Sequence, residues 1–100
     1  MEVKVDVTDT KATVTVDGKL TVQTAPDLET AINEIDPQVT NLDIDLANVD
    51  YISSAGLRVL VSTEKIAAQR NGKMLLLHPN EEVSEVFDMT GLADVFTIEA

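Results

Sequence analysis

Val3, Val5 and Val7 alternate with polar residues near the start of the chain, and Ala12, Val14 and Val16 repeat the pattern. A period of two marks a half-buried strand, so two strands are predicted, joined by a tight turn through Thr8-Asp9-Thr10-Lys11. After Asp17-Gly18-Lys19-Leu20 the period changes. Thr24, with Asp27 three residues on, fits a helix-starting capping box, and Pro26 falls in the first turn, where a missing N–H costs little. Leu28, Ile32 and Ile35 then follow at i, i+4 and i+7, which places them on one helical stripe, and Pro37 closes it. Leu42, Ile44 and Leu46 return to period two, with Asp43 and Asp45 on the opposite face.

A long helix is predicted over 54–70, stopped where Asn71 or Gly72 can take the left-handed conformation. Lys73-Met74-Leu75-Leu76-Leu77 is the one strand segment without alternation, so a central strand is expected there. Asn80 then caps a third helix, Glu81 and Glu82 suit its positive end, and Gly91-Leu92 terminates it. Val95-Phe96-Thr97-Ile98 reads as a short closing strand. The predicted order is β-β-α-β-α-β-α-β. Strand–helix–strand units with short connections require right-handed parallel crossovers, so the class is α/β with a mixed sheet. Lys4, Asp6, Thr13, Thr15, Asp43 and Asp45 interrupt the apolar runs. A sheet covered on both faces would not tolerate them, so helices are expected mainly on one face, with the other largely wet.

Length and composition narrow the function. One hundred residues, 44% of them hydrophobic, fit one globular domain spanning 1–100. No apolar run reaches membrane-spanning length, and the start of the chain lacks the basic-then-apolar build of a signal peptide, so no membrane insertion and a cytoplasmic location are expected. The absence of cysteine excludes disulfides, thiol catalysis and cysteine metal sites. Eighteen acidic against seven basic residues give a net charge of −11, which repels nucleic acid and anionic lipid. No cofactor is implied.

The chemistry concentrates in Val49-Asp50-Tyr51-Ile52-Ser53-Ser54-Ala55-Gly56-Leu57-Arg58-Val59-Leu60, where a strand gives way to the long helix. Ser53 or Ser54 can cap that helix, because a serine oxygen satisfies an otherwise unpaired N–H. Either can instead be a nucleophile at a strand-to-helix turn, with His78, the chain's one histidine, as base. Either can also accept a phosphate, held by free N–H groups and the positive end of the helix dipole. Gly56 costs about 0.5–1 kcal/mol in a helix relative to Ala, so it needs a reason: close backbone approach, or access to the adjacent serine. Asp43 and Asp45 share a strand face, but two carboxylates alone do not make a metal site. Along the long helix Leu57, Leu60, Val61, Ala67 and Ala68 form one arc, with Val59 and Ile66 outside it. Either a partner or neighbouring helices must cover that surplus.

The chain resembles the STAS domain family, and within it the stand-alone bacterial anti-sigma factor antagonists (anti-anti-sigma factors). Three segments carry the resemblance: Gly18–Ile32, Leu42–Val61 with its Ser-Ser-Ala-Gly-Leu run, and Glu85–Ile98. It implies a regulated binder rather than an enzyme. In this family the unphosphorylated antagonist binds an anti-sigma factor that is also a serine kinase, releasing a sigma factor for transcription. The kinase then uses ATP-Mg to phosphorylate one serine at the start of the second helix, and a serine phosphatase reverses this. Alignment on Gly56-Leu57 puts that serine at Ser54 and the partner-binding surface at Thr21, Ser53, Ser54, Ala55, Gly56, Leu57, Arg58 and Val61. The family often has aspartate where Ser53 and Thr21 stand. Other STAS domains are constitutive subunits of transporters or signalling complexes. A serine hydrolase using Ser54 and His78 is the alternative of another class.

Overall fold

The computed structural model describes residues 1–100. Its elements are β1 (Glu2–Thr8), β2 (Lys11–Leu20), α1 (Ala25–Asn33), β3 (Asn41–Ile52), α2 (Ser54–Gln69), β4 (Met74–Leu77), α3 (Glu81–Thr90), a 3₁₀ turn (Leu92–Asp94) and β5 (Thr97–Glu99). All strands join one sheet in the order β1-β2-β3-β4-β5, with β1 antiparallel to β2 and every later pair parallel. Strand order thus follows chain order. Three right-handed crossovers stepping the same way leave every helix on the same side of the sheet. The predicted one-sided architecture follows from this winding.

The core lies under the helices. Ala12, Val14 and Val16 of β2, Leu42, Ile44 and Leu46 of β3, and Met74 and Leu76 of β4 are buried against Leu28, Ile32, Leu60, Val83 and Phe87. Phe96, just before β5, meets the Phe87 ring edge-on at a centroid distance of 5.4 Å. No helix is long and apolar enough to cross a membrane.

Some local expectations are corrected. Thr24 does not form a capping box with Asp27. Its hydroxyl instead accepts from the Thr21 N–H and donates to the Lys19 carbonyl, each at 2.8 Å. The Thr21 hydroxyl accepts from the N–H groups of Gln23 and Thr24 at 3.2 Å in the turn that leads into α1, and no side chain caps α1 itself. β4 is interior as expected, paired with β3 and β5, while Leu75 and Leu77 stand half-buried on the open face. The open face is not wet throughout. Asp43 is buried there, 3.4 Å from the Lys11 ammonium, while Asp45 is half-buried.

The end of α2 resolves the choice between Asn71 and Gly72. Asn71 takes the left-handed conformation at φ 61°, and the Gly72 N–H reaches back to the Ala67 carbonyl at 2.8 Å. This is a Schellman closure. Gly72 serves another need: a Cβ there would lie 1.7 Å from the Thr40 carbonyl oxygen. Beside it, the Arg70 guanidinium donates to the carbonyls of Ile35, Asp36 and Val39 at 2.9–3.3 Å, holding the segment after α1.

Candidate functional site

β3 delivers the serines through two irregularities. Against β2 its register slips between Thr15 and Asp17 and again between Gly18 and Lys19, so β3 carries an extra residue at each point. A bulge changes which face the following side chains reach. Burial accordingly passes from Leu42, Ile44 and Leu46 to Val49 and Ile52, a spacing of three in place of two. The Asp45 carboxylate accepts the Ala47 N–H at 3.0 Å at the first bulge, and Lys19 approaches Asp50 at 3.4 Å near the second.

Ser53 is the N-cap of α2. Its backbone is extended, its hydroxyl accepts from the Gly56 N–H at 3.2 Å, and its own N–H donates to the Leu20 carbonyl at 2.8 Å. Ser54 is the first helical residue and is exposed. Capping is thus complete without Ser54. The N–H groups of Ser54 and Ala55 have no acceptor within the chain, as expected for the first turn of a helix.

The sequence-predicted partner residues divide into two groups. Ser54 and Arg58 are exposed one helical turn apart, and Ala55, Ser53 and Thr21 are half-buried. Gly56 and Leu57 are buried in the chain's own core, so they hold α2 in place and offer no surface. A Cβ at Gly56 would come within 2.7–3.0 Å of Leu20 and Ile52 side-chain carbons, so close packing explains this glycine. Val61 is half-buried against the core.

The buried arc of α2 is rotated from the predicted one. Val59 is buried and Ala68 exposed, because α1 packs along the Val59 side of the helix. Ile66 is half-buried against the core. Neighbouring structure, not a partner, covers most of the surplus.

A groove of about 260 Å³ runs between the start of α1 and α2, lined by Val22, Ala25, Pro26, Glu29, Ala55, Arg58, Val59 and Ser62. Val22 is 70% exposed, which is unusual for a large apolar side chain, and Arg58 joins no ion pair. On the other side Tyr51, half exposed, lines a smaller cleft of about 90 Å³ with Ile52, Val83 and Val86. Val22 and Tyr51 escaped the sequence reading. Their signal was an apolar residue isolated in a polar loop and another out of step with strand alternation.

His78 is exposed with φ 56°, and its N–H donates to the Glu99 carbonyl at 2.7 Å. Asp45 pairs with Leu77, so His78 is level with Leu46, and six more strand residues, about 20 Å at ~3.3 Å each, run on to Ile52. The structure does not bring Ser54 and His78 together. Asp43 and Asp45 are engaged by Lys11 and the Ala47 N–H.

The STAS domain family model matches residues 2–100. The anti-sigma-B factor antagonist of Bacillus subtilis is 33% identical, the match covering 100% of this chain and 94% of that protein. The protein of the same name from Staphylococcus epidermidis is 35% identical, over 85% of this chain and 80% of its own length. The crystal structure of an anti-sigma factor antagonist from Mycobacterium paratuberculosis superposes with a TM-score of 0.83 at 27% identity, covering 98% of this chain and 84% of that one. A singly wound five-stranded sheet, an exposed serine opening the second helix and these matches agree: the chain belongs to the STAS domain family.

Proposed function

We propose that this chain is an anti-sigma factor antagonist switched at Ser54. Unphosphorylated, it binds an anti-sigma factor that is also a serine kinase, through the surface around Ser54, Ala55 and Arg58 with Thr21 and Val22 beside it. Binding frees the sigma factor. Transfer of the ATP γ-phosphoryl group to the Ser54 oxygen, with ADP leaving and the hydroxyl proton taken up by the kinase, breaks the complex. A serine phosphatase restores it.

One observation carries this reading: the Ser53 hydroxyl caps α2 and leaves the Ser54 hydroxyl exposed and uncommitted. A phosphate on Ser54 would lie beside the unpaired N–H groups of Ser54 and Ala55 at the positive end of α2. It adds about −1.5 to −2 charges at a surface where no fold contact is lost. The Bacillus subtilis and Staphylococcus epidermidis relatives are anti-sigma-B factor antagonists, which supports antagonism of an anti-sigma factor here.

A second reading has its own support. Thr21 and Ser53 replace two acids common in the family, which suits a constitutive STAS subunit of a larger complex. Calorimetry of wild type and Ser54-phosphorylated chain against the anti-sigma factor separates the two. A phosphorylated form at least tenfold weaker is expected, because an unpaired charge buried on association costs on the order of 2–5 kcal/mol. Equal affinities would identify a constitutive binding module.

A further inference from the structure

The sheet face that builds the core is left open at one edge. Val3, Val5 and Val7 pair with Val16, Val14 and Ala12 and point to the same side as these fully buried neighbours. Yet Val5 is 37% and Val7 53% exposed, because α1 stops short of the β1 edge. Between them lies a groove of about 490 Å³ with Val3, Val5, Val7 and Ile35 as its apolar surface. Its rim is Asp27, Glu34 and Asp36, with Thr30 and Ala31 between, and no cation lines it. Lys4, the basic residue of β1, alternates to the opposite face and lies 3.9 Å from Asp6.

We infer that this groove docks an amphipathic helix of a partner protein, with one apolar stripe bordered by Lys or Arg. Val3, Val5 and Val7 would cover the stripe, with the edge of buried Ile35 as its floor, and the carboxylates of Asp27, Glu34 and Asp36 would pair with its cations. The α1 wall spans nine residues, about 13 Å at 1.5 Å per residue, so three to four turns of partner suffice. A second copy of this chain fits poorly, since each copy carries a net charge of −11 and the same acidic rim. The surface is separate from the Ser54 region: Val7 pairs with Ala12, which pairs with Leu42 at the start of β3, whereas Ser54 follows the end of β3.

The test is a nitrogen-15 NMR titration of the full chain with a synthetic peptide repeating Leu-Lys-Lys-Leu-Leu-Lys-Leu, about 14 residues long or roughly four turns. Expected are saturable shifts confined to 3–7 and 27–36, at least a tenfold loss of affinity in Asp27→Lys/Glu34→Lys, and a similar loss in Val5→Ser/Val7→Ser. Ser54→Asp should change the affinity less than twofold. A peptide with Glu in place of Lys should not bind. The proposal is overturned by no saturable binding, or by shifts spread over the acidic surface. It is equally overturned if Glu81→Lys/Glu82→Lys weakens binding as much as the rim variant, which would mean bulk charge attraction. Sedimentation of wild type as a dimer that Val7→Asp dissociates would assign the groove to a second copy instead.

Discussion

The Ser53 hydroxyl accepts the Gly56 N–H at 3.2 Å, and this contact separates the duties of two adjacent serines. Ser53 closes the first turn of α2; Ser54, one position on, makes no side-chain hydrogen bond within the chain and faces solvent. Local stability and chemical availability therefore belong to different residues. Ser53→Ala should cost about 1 kcal/mol, the usual value of a serine cap, while Ser54→Ala should stay within about 0.5 kcal/mol of wild type. Chemical denaturation of both variants checks this. Equal losses would place part of the cap on Ser54.

Charge at Ser54 should separate stability from binding. Ser54→Asp puts an anion at the N-terminus of α2, which stabilises by about 0.3–1 kcal/mol, so thermal melts should show an unchanged or slightly raised midpoint. Affinity for the anti-sigma factor should fall at least tenfold in the same protein. Mass spectrometry after incubation with that kinase should find phosphate on Ser54 and none in Ser54→Ala.

The two replaced acids make a second test of the switch. Ser53 accepts a backbone N–H at the start of α2 and Thr21 accepts two in the turn leading into α1, a role aspartate also performs. Ser53→Asp and Thr21→Asp should therefore leave stability within about 0.5 kcal/mol while changing the rate of Ser54 phosphorylation. Unchanged rates in both would show that the acids do not matter to the kinase.

The glycines differ in what a methyl group would strike. Gly56→Ala meets the side chains of Leu20 and Ile52 at 2.7–3.0 Å, which can yield slightly, so a loss of about 1–3 kcal/mol is expected. Gly72→Ala meets the backbone of Thr40 at 1.7 Å, which cannot yield without moving the strand entry. It should be the more damaging of the two by urea denaturation. The opposite order would mean that the β3 entry is more adaptable than the α2 packing.

Arg70 ties the end of α2 to the segment after α1 through three carbonyl oxygens. Arg70→Met leaves those half-enclosed acceptors without protein donors, at about 1–3 kcal/mol. Arg70→Lys should restore little, since an ammonium cannot reproduce the planar fork. Amide exchange should accelerate first over 35–41, where the donated bonds are lost.

Local order was legible in the chain because period, caps and turn residues act over a few neighbours. The alternation of Ala12–Val16, the Asn80 cap, the left-handed Gly91 and the span of α2 all appear as read, with Asn80 accepting the Val83 N–H at 2.8 Å and Gly91 at φ 76°, whereas β1 forms over Val3–Val7 but leaves Val5 and Val7 exposed instead of half-buried. Ser54 was selected by the family resemblance, aligned on Gly56-Leu57, since the local pattern left Ser53 and Ser54 open. What escaped reading depends on contacts between segments distant in sequence. Val59 is buried because α1 lies beside it, Asp43 is paired by Lys11 of the neighbouring strand β2, and Gly56 is glycine because Leu20 presses on it. The two bulges of β3 are invisible to any period-two count, since each shifts the face of every later residue by one. Local pattern was enough for the strand and helix order and the serine pair, though the 3₁₀ turn and the Thr97–Glu99 bounds of β5 were not read from it. Which serine caps, which apolar residues remain at the surface and where the open edge of the core face lies depend instead on which segments meet in space.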